Sequence, residues 1–191
     1  HVATTYLFDG PEGVGKTLAA KAFICALFCQ HRQSEGDACG VCASCRKMAS
    51  GNHPDFHCLE PLPDKRDISI EQVRLLQQAL ALRPLEAPRN ACIIEPADRL
   101  NEKSANALLK TLEEPPGDAL LILITTQGDR LLPTIRSRTQ QFRFAPLSDA
   151  VLMEIAAQQG LNDLTLDTVS LAEGSITRLA SLVGLEEQQA R

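Results

Sequence analysis

The sequence predicts an α/β fold, a P-loop-type parallel sheet covered by helices and followed by a small helical domain. Three observations predict it. Apolar runs rich in β-branched residues alternate with amphipathic stretches of helical period, the pattern of a sheet covered on both faces. A G-x-x-x-x-G-K-T motif, Gly10 to Thr17, stands between the first strand pattern and the first helical one. After Pro146 strand signals cease and three helical patterns follow.

In chain order, Thr4–Phe8 reads as a strand and Lys16–Cys29 as a helix, with Gln30–Gly51 an irregular, cysteine-bearing insertion. Asp55–Leu59 reads as a strand and Pro61–Asp67 as a loop. Ile70, Val73, Leu76 and Leu80 recur at helical spacing within Ile68–Leu82. Ala91–Glu95 is a buried strand. Asn101–Glu113 is a helix stopped by Pro115 and Pro116. Leu120–Thr125 and Thr139–Phe144 complete the strands. Ser148–Gln159, Leu166–Ala172 and Ser175–Gly184 are the three later helices, and Ser148 is placed to cap the first of them.

The motif carries the chemistry. Gly10, Pro11, Glu12, Gly13, Val14, Gly15, Lys16 and Thr17 form a loop whose backbone N–H groups can turn around a polyphosphate at a helix N-terminus. Lys16 is placed to reach the β- and γ-phosphates, and Thr17 to offer a hydroxyl to Mg²⁺. The pattern therefore predicts ATP or ADP with Mg²⁺ as the ligand class. In a parallel sheet such a ligand lies at the carboxyl ends of the strands.

The bulk numbers set bounds. The 191 residues carry 44% hydrophobic residues, enough for one large domain or a domain with a satellite. A net charge of −5 argues against a surface built throughout for nucleic acid. Arg83, Arg89, Lys103 and Lys110 are scattered basic residues that could face DNA phosphates, a weak signal at this net charge because most helical lysines are simply solvated. No apolar run reaches the ~18 residues a membrane span requires, and the first residues read as a strand rather than a secretion signal. With seven cysteines, this composition suggests a reducing, cytoplasmic setting in which clustered thiols bind metal.

Cys39-x2-Cys42-x2-Cys45 places three thiols within seven residues, and Cys29 ends the preceding helix. Four thiolates close a tetrahedral, structural Zn²⁺ site and would cross-link a polar stretch that has no core of its own. Three alternatives stand beside this, one of them that the thiols are unliganded. The C-x2-C-x2-C spacing also serves iron–sulfur clusters. His31, His53, His57 or Cys58 is an alternative fourth ligand to Cys29. Cys25 and Cys92 lie in apolar runs and read as core.

Several segments together resemble the bacterial clamp-loader ATPase family, a branch of the AAA+ proteins that opens a sliding clamp for DNA polymerase. Asn106–Pro116 (NALLKTLEEPP) is similar to the family's signature helix, and Ser137-Arg138-Thr139 to its Ser-Arg-Cys motif, departing at the third residue. Cys29, Cys39, Cys42 and Cys45 resemble its zinc module. The resemblance implies a RecA-like nucleotide domain over residues 1–146, with the zinc module at about 29–50, and a helical lid over 147–191. It also implies a collar domain beyond this chain. The implied partners are gamma/tau and delta subunits in a hetero-oligomer, which acts on the sliding clamp and primer–template DNA.

The resemblance assigns further roles. An ATPase of this class needs a strand ending in Asp-Glu, the aspartate for Mg²⁺ and the glutamate to polarise the attacking water; here Glu95 falls at the aspartate position, where it could still serve Mg²⁺, and Pro96 at that of the catalytic glutamate. Loss of general-base assistance typically costs ~10²–10⁴ in rate. Asp98 is the one nearby substitute, two residues further on. An intact loop beside a broken hydrolytic strand resembles the delta prime branch of the family, which would bind nucleotide weakly or without efficient hydrolysis. Arg138 then corresponds to an arginine finger donated in trans, worth ~10³–10⁵ in a partner's turnover. Thr126, in the pair Thr125-Thr126, corresponds to the γ-phosphate sensor, and Arg178 after Gly174-Ser175 to the sensor of the lid. The alternatives are an active gamma/tau-type ATPase and, from the loop alone, a small-molecule P-loop kinase.

Overall fold

In the computed structural model, residues 2–33, 36–161 and 164–189 are described, with side chains through residue 184. Five strands form one sheet: β1 (Thr5–Asp9), β2 (Phe56–Leu59), β3 (Ala91–Ile94), β4 (Leu120–Thr125) and β5 (Gln140–Arg143). Their order across the sheet is β2-β3-β4-β1-β5. The pairs β2/β3, β3/β4 and β4/β1 are parallel, with Thr5 opposite Leu121 and Ala91 opposite Leu120. All six residues of β4 are buried, as a central strand covered on both faces requires.

Helices α1 (Lys16–Phe28), α2 (Ala43–Ala49), α3 (Ile70–Ala81), α4 (Glu102–Glu113) and α5 (Pro133–Arg136) connect these strands. Along α1, Ala20, Ile24 and Phe28 make a buried stripe while Leu18 faces out. A capping box starts α3: the Ser69 hydroxyl accepts from the Gln72 N–H, and the Gln72 side chain accepts from the Ser69 N–H. Asn101 caps α4 by accepting the Ser104 N–H at 2.9 Å. One face of the sheet packs on α3 and α4 through Leu7, Cys92, Ile94, Leu121 and Leu123 against Val73, Leu76, Leu80, Leu108 and Leu112.

By contacts the chain divides into two units, residues 1–9 with 17–142, and residues 10–16 with 143–191. The second unit contains α6 (Asp149–Gln158), α7 (Leu166–Leu171) and α8 (Ile176–Gln189), joined around Leu152, Ala156, Val169, Ala172 and Leu179. Ser148 caps α6, its Oγ accepting the Val151 N–H, and Thr165 does the same for α7.

Two expectations are corrected. The insertion Gln30–Gly51 is not irregular throughout, because α2 forms inside it with the Cys42 sulfur as its cap. The last helix starts at Ile176 and runs to Gln189, past the glycine expected to end it. Gly184 lowers helix propensity by only about 1 kcal/mol, which neighbouring helix-forming residues offset. No helix among the described residues is long and apolar enough to cross a membrane.

Candidate functional site

The phosphate loop is folded as a loop, with Gly10, Gly13 and Gly15 at φ of 157°, 74° and 92°. Gly13 is required twice over. Its φ is in the left-handed region, and a Cβ there would lie 2.2 Å from Ser175 Oγ. The Gly13 carbonyl accepts the Ile176 N–H at 3.0 Å, which joins the loop to the start of α8 within the second unit. The Lys16 ammonium is buried and donates to the carbonyl oxygens of Gly10 (2.8 Å) and Pro11 (2.5 Å). Pro11, Glu12, Glu173, Ser175, Thr177 and Arg178 line much of a cavity of about 420 Å³ in the same unit.

In the first unit the strand ends supply the polar groups. Thr17, in the first turn of α1, donates its hydroxyl to both carboxylate oxygens of Glu95, at 2.7 and 2.9 Å. The hydroxyl and carboxylate that the sequence assigns to Mg²⁺ are thus brought together by the start of α1 and the end of β3. Pro96 follows Glu95 and presents no ionisable group. Asp98 lies in a 3₁₀ turn (Ala97–Arg99), where its Oδ1 accepts the Thr125 hydroxyl at 2.6 Å. Thr125 is buried as the last residue of β4 and also accepts the Gln127 N–H. Thr126 lies just beyond the strand and is exposed.

Arg138 follows α5. Its Nε donates to Glu113 Oε1 at 2.5 Å, Nη2 pairs with the same oxygen, and Nη1 donates to the Thr134 carbonyl at 3.0 Å. Arg178 pairs with Glu173 through Nη1, and its backbone N–H donates to Ser175 Oγ.

The four cysteines converge. The sulfurs of Cys29, Cys39, Cys42 and Cys45 all lie within 4.8 Å of one another, those of Cys39 and Cys45 at 4.0 Å. A tetrahedral Zn²⁺ with Zn–S bonds of about 2.3 Å needs sulfurs roughly 3.8 Å apart, so the donor set fits with a small contraction. The chain polarises these thiols itself. The N–H of Cys39 points at Cys29 Sγ (3.3 Å), that of Cys42 at Cys39 Sγ (3.4 Å) and that of Cys45 at Cys42 Sγ (3.4 Å). The Cys45 N–H, first among several donors, draws the Cys42 thiol down to about 6, and the Cys39 N–H lowers that of Cys29. Burial pushes the Cys45 thiol up.

His53 is occupied elsewhere. Its Nδ1 accepts the Asp55 N–H, so its Nε2 carries the proton and donates to Ser44 Oγ at 3.1 Å, tying α2 to the segment before β2. Its ring lies 4.7 Å from that of Phe28. Burial lowers its pKa, which favours this neutral form. Cys92 is fully buried as expected, whereas Cys25 is half-buried and packs against the cysteine cluster.

Sequence reasoning missed three groups. Glu113 was read only as the end of a helix, inside the segment similar to the signature helix, with no role of its own. Asp55 is buried and accepts the N–H groups of Leu85 (2.6 Å), Glu86 (2.8 Å) and Ala87 (2.7 Å). The Ser44–His53 bond was the third. The contacts of Asp55 and Ser44 leave no short-range pattern. The Ser69-x-x-Gln72 box does, and that spacing alone would have set the start of α3.

A family profile described as DNA polymerase III, delta subunit, matches residues 1–148. The chain belongs to this family. The DNA polymerase III subunit delta' of Pseudomonas aeruginosa is 44% identical over 139 residues, 73% of this chain and 42% of that protein. The delta' subunit of Bacillus subtilis is 38% identical over 157 residues, 82% of this chain and 46% of that protein. The chain therefore spans less than half the length of these two relatives. Among solved structures, the Thermotoga maritima RuvB Holliday junction branch migration motor superposes with a TM-score of 0.58 at 18% identity, over 95% of this chain and 53% of that one. That likeness shows the fold that the sequence predicts, a parallel sheet covered by helices, and the family membership agrees with the resemblance carried by the signature helix.

Proposed function

We propose that this chain is the nucleotide-binding and lid portion of a clamp-loader subunit of the delta prime type. It binds nucleotide weakly or without efficient hydrolysis, and it lends Arg138 to a neighbouring ATPase subunit. The observation that carries the reading is the end of β3. Glu95 is engaged by Thr17, Pro96 has no base to offer, and Asp98 is hydrogen-bonded by Thr125. General-base assistance worth ~10²–10⁴ in rate has no obvious source there. Arg138, by contrast, is partly exposed and held by three groups.

In this reading residues 1–146 form the nucleotide domain and 147–191 the lid. Gly10–Thr17 cradle the phosphates of ATP or ADP, Thr17 and Glu95 hold Mg²⁺, and Thr126 and Arg178 act as sensors. Cys29, Cys39, Cys42 and Cys45 hold one structural Zn²⁺, which would cross-link the insertion. The partners are gamma/tau and delta subunits of a cytoplasmic hetero-oligomer, which engages the sliding clamp and primer–template DNA.

The test has two parts. The isolated protein should turn over ATP far below ~1 s⁻¹, an ordinary enzyme rate. Arg138→Ala in the full-length subunit should lower ATP turnover of the reconstituted assembly by at least ~10²-fold. Vigorous hydrolysis by the isolated protein would instead support the second reading, an active gamma/tau-type ATPase, which the intact loop favours.

A further inference from the structure

We propose that Glu113 is a positioning residue for Arg138, fixing the guanidinium in the orientation that a neighbouring subunit's polyphosphate meets. This rests on the finger reading of Arg138 given above. Glu113 is the last residue of α4, within the segment matching the signature helix, and nothing in that match gives it a role beyond ending the helix.

The geometry is one-sided. Glu113 Oε1 takes the Nε edge of the guanidinium, through Nε at 2.5 Å and through Nη2. The Thr134 carbonyl takes Nη1 at 3.0 Å, with Ser137 Oγ 3.5 Å away. Because the group is planar, Nη2 carries a second N–H on the side of the fork away from Nε, and that side can receive a phosphate oxygen. The backbone is fixed as well. The Arg138 carbonyl accepts the Thr5 hydroxyl at 2.7 Å, from the first strand of the sheet, and its N–H donates to the Ile135 carbonyl. A long side chain with many rotamers is thereby held on a rigid base at both ends.

Magnitude decides between positioning and sequestration. The side chains of Arg138 and Glu113 are 33% and 48% exposed. A pair so open to water is weak, and a desolvated polyphosphate carrying several charges competes with it easily. The contact therefore biases the rotamer of Arg138 without withholding it. Placement matters at this level, since an error of about 1 Å in a reacting group can cost ~10²-fold.

The experiment measures kcat and KM for ATP in the reconstituted assembly, with the full-length subunit carrying Glu113→Ala, Glu113→Gln, Arg138→Ala or the double change Glu113→Ala/Arg138→Ala. Glu113→Ala should lower kcat about tenfold and leave KM within about twofold, because the nucleotide is bound elsewhere. Glu113→Gln, whose amide oxygen can still accept from Nε, should restore kcat to within about threefold of the native value. The double change should be no slower than Arg138→Ala alone, the signature of two residues acting as one. Unchanged or faster turnover in Glu113→Ala would overturn the proposal, as would a double change slower than Arg138→Ala. If Arg138→Ala itself left turnover unchanged, the finger reading would fail, and this inference with it. If the alanine change unfolds α4, Glu113→Lys, of similar length and helix propensity but unable to accept from Nε, takes its place and should lower kcat at least as far; unchanged turnover in it would overturn the proposal.

Discussion

Asp55 offers the sharpest test of how the sheet is held in register. Its buried carboxylate accepts three backbone N–H groups from residues 85–87, and its own carbonyl accepts the Ala91 N–H that opens β3. Asp55→Asn removes the charge and one oxygen. The amide can turn its single oxygen toward Glu86 and Ala87, which leaves its NH₂ facing the Leu85 N–H. One orphaned buried donor costs about 1–3 kcal/mol, and two charge-assisted bonds reduced to neutral ones add roughly another 1 kcal/mol. The sum is about 2–4 kcal/mol, or a melting temperature lower by roughly 5–15 °C for a domain of this size. The pH dependence has a defined sign. Burial pushes the Asp55 pKa up, but the three N–H groups outweigh it and the net shift is downward. A carboxylate depressed in the folded state contributes stability above its unfolded value, near 3.9, and loses it as pH falls through the lower folded value. Urea denaturation of both forms from pH 7 down to about 3 should therefore show a gap that narrows only at the acid end. A change below about 0.5 kcal/mol at pH 7, or a gap constant with pH, would refute the reasoning.

Other outcomes follow from the same geometry. Cys42→Ser or Cys45→Ser should reduce bound zinc, measured by elemental analysis of protein purified without added metal, from about one per chain to below ~0.1; native protein holding neither zinc nor iron would reject the metal site. Gly13→Ala should abolish binding of a labelled ATP analogue and lower the melting temperature, because the new Cβ meets Ser175 Oγ at 2.2 Å; unaltered binding in an equilibrium titration would refute this. Glu95→Gln should weaken Mg²⁺-dependent nucleotide binding at least tenfold, about 1.4 kcal/mol, while binding measured in EDTA stays unchanged. Ser69→Ala should cost about 1 kcal/mol in denaturant unfolding by removing the cap of α3.

What the sequence disclosed, and what it withheld, follows from the range of the interactions. Periodicity and glycine chemistry are local, so the alternation of strands and helices, the phosphate loop and the end of α4 before Pro115 and Pro116 were readable. The cysteine site was readable because three of its ligands share one turn-sized motif. The α2 helix was missed because its start is capped by a cysteine sulfur, and its seven residues show no amphipathic period long enough to count. The Asp55 cradle joins residues about 30 apart, the Thr17–Glu95 pair 78 apart and the Thr5–Arg138 bond 133 apart. Contacts of that span are fixed only when the sheet assembles. Thr17 and Glu95 were nevertheless assigned to one site, through the resemblance rather than through any pattern in the residues.

In the proposed reading, the polar residues of the first unit explain how a chain can keep its phosphate loop after losing its hydrolytic carboxylate. Each group at the strand ends already has a structural partner: Thr17 holds Glu95, Thr125 holds Asp98, and Asp9 accepts the Gly128 N–H at 3.2 Å. A carboxylate engaged by a hydroxyl is poorly placed to polarise water, yet the Thr17–Glu95 bond keeps β3 against α1 and the Thr125–Asp98 bond keeps β4 against the 3₁₀ turn that follows β3. On that reading, a proline at the place of a catalytic glutamate removes chemistry while these bonds stay in place. Arg138 is anchored through β1 and Glu113, neither of which depends on hydrolysis at Glu95. In the proposed reading, turning over its own nucleotide and completing another site rest on separate sets of bonds, so that one can decay while the other is kept.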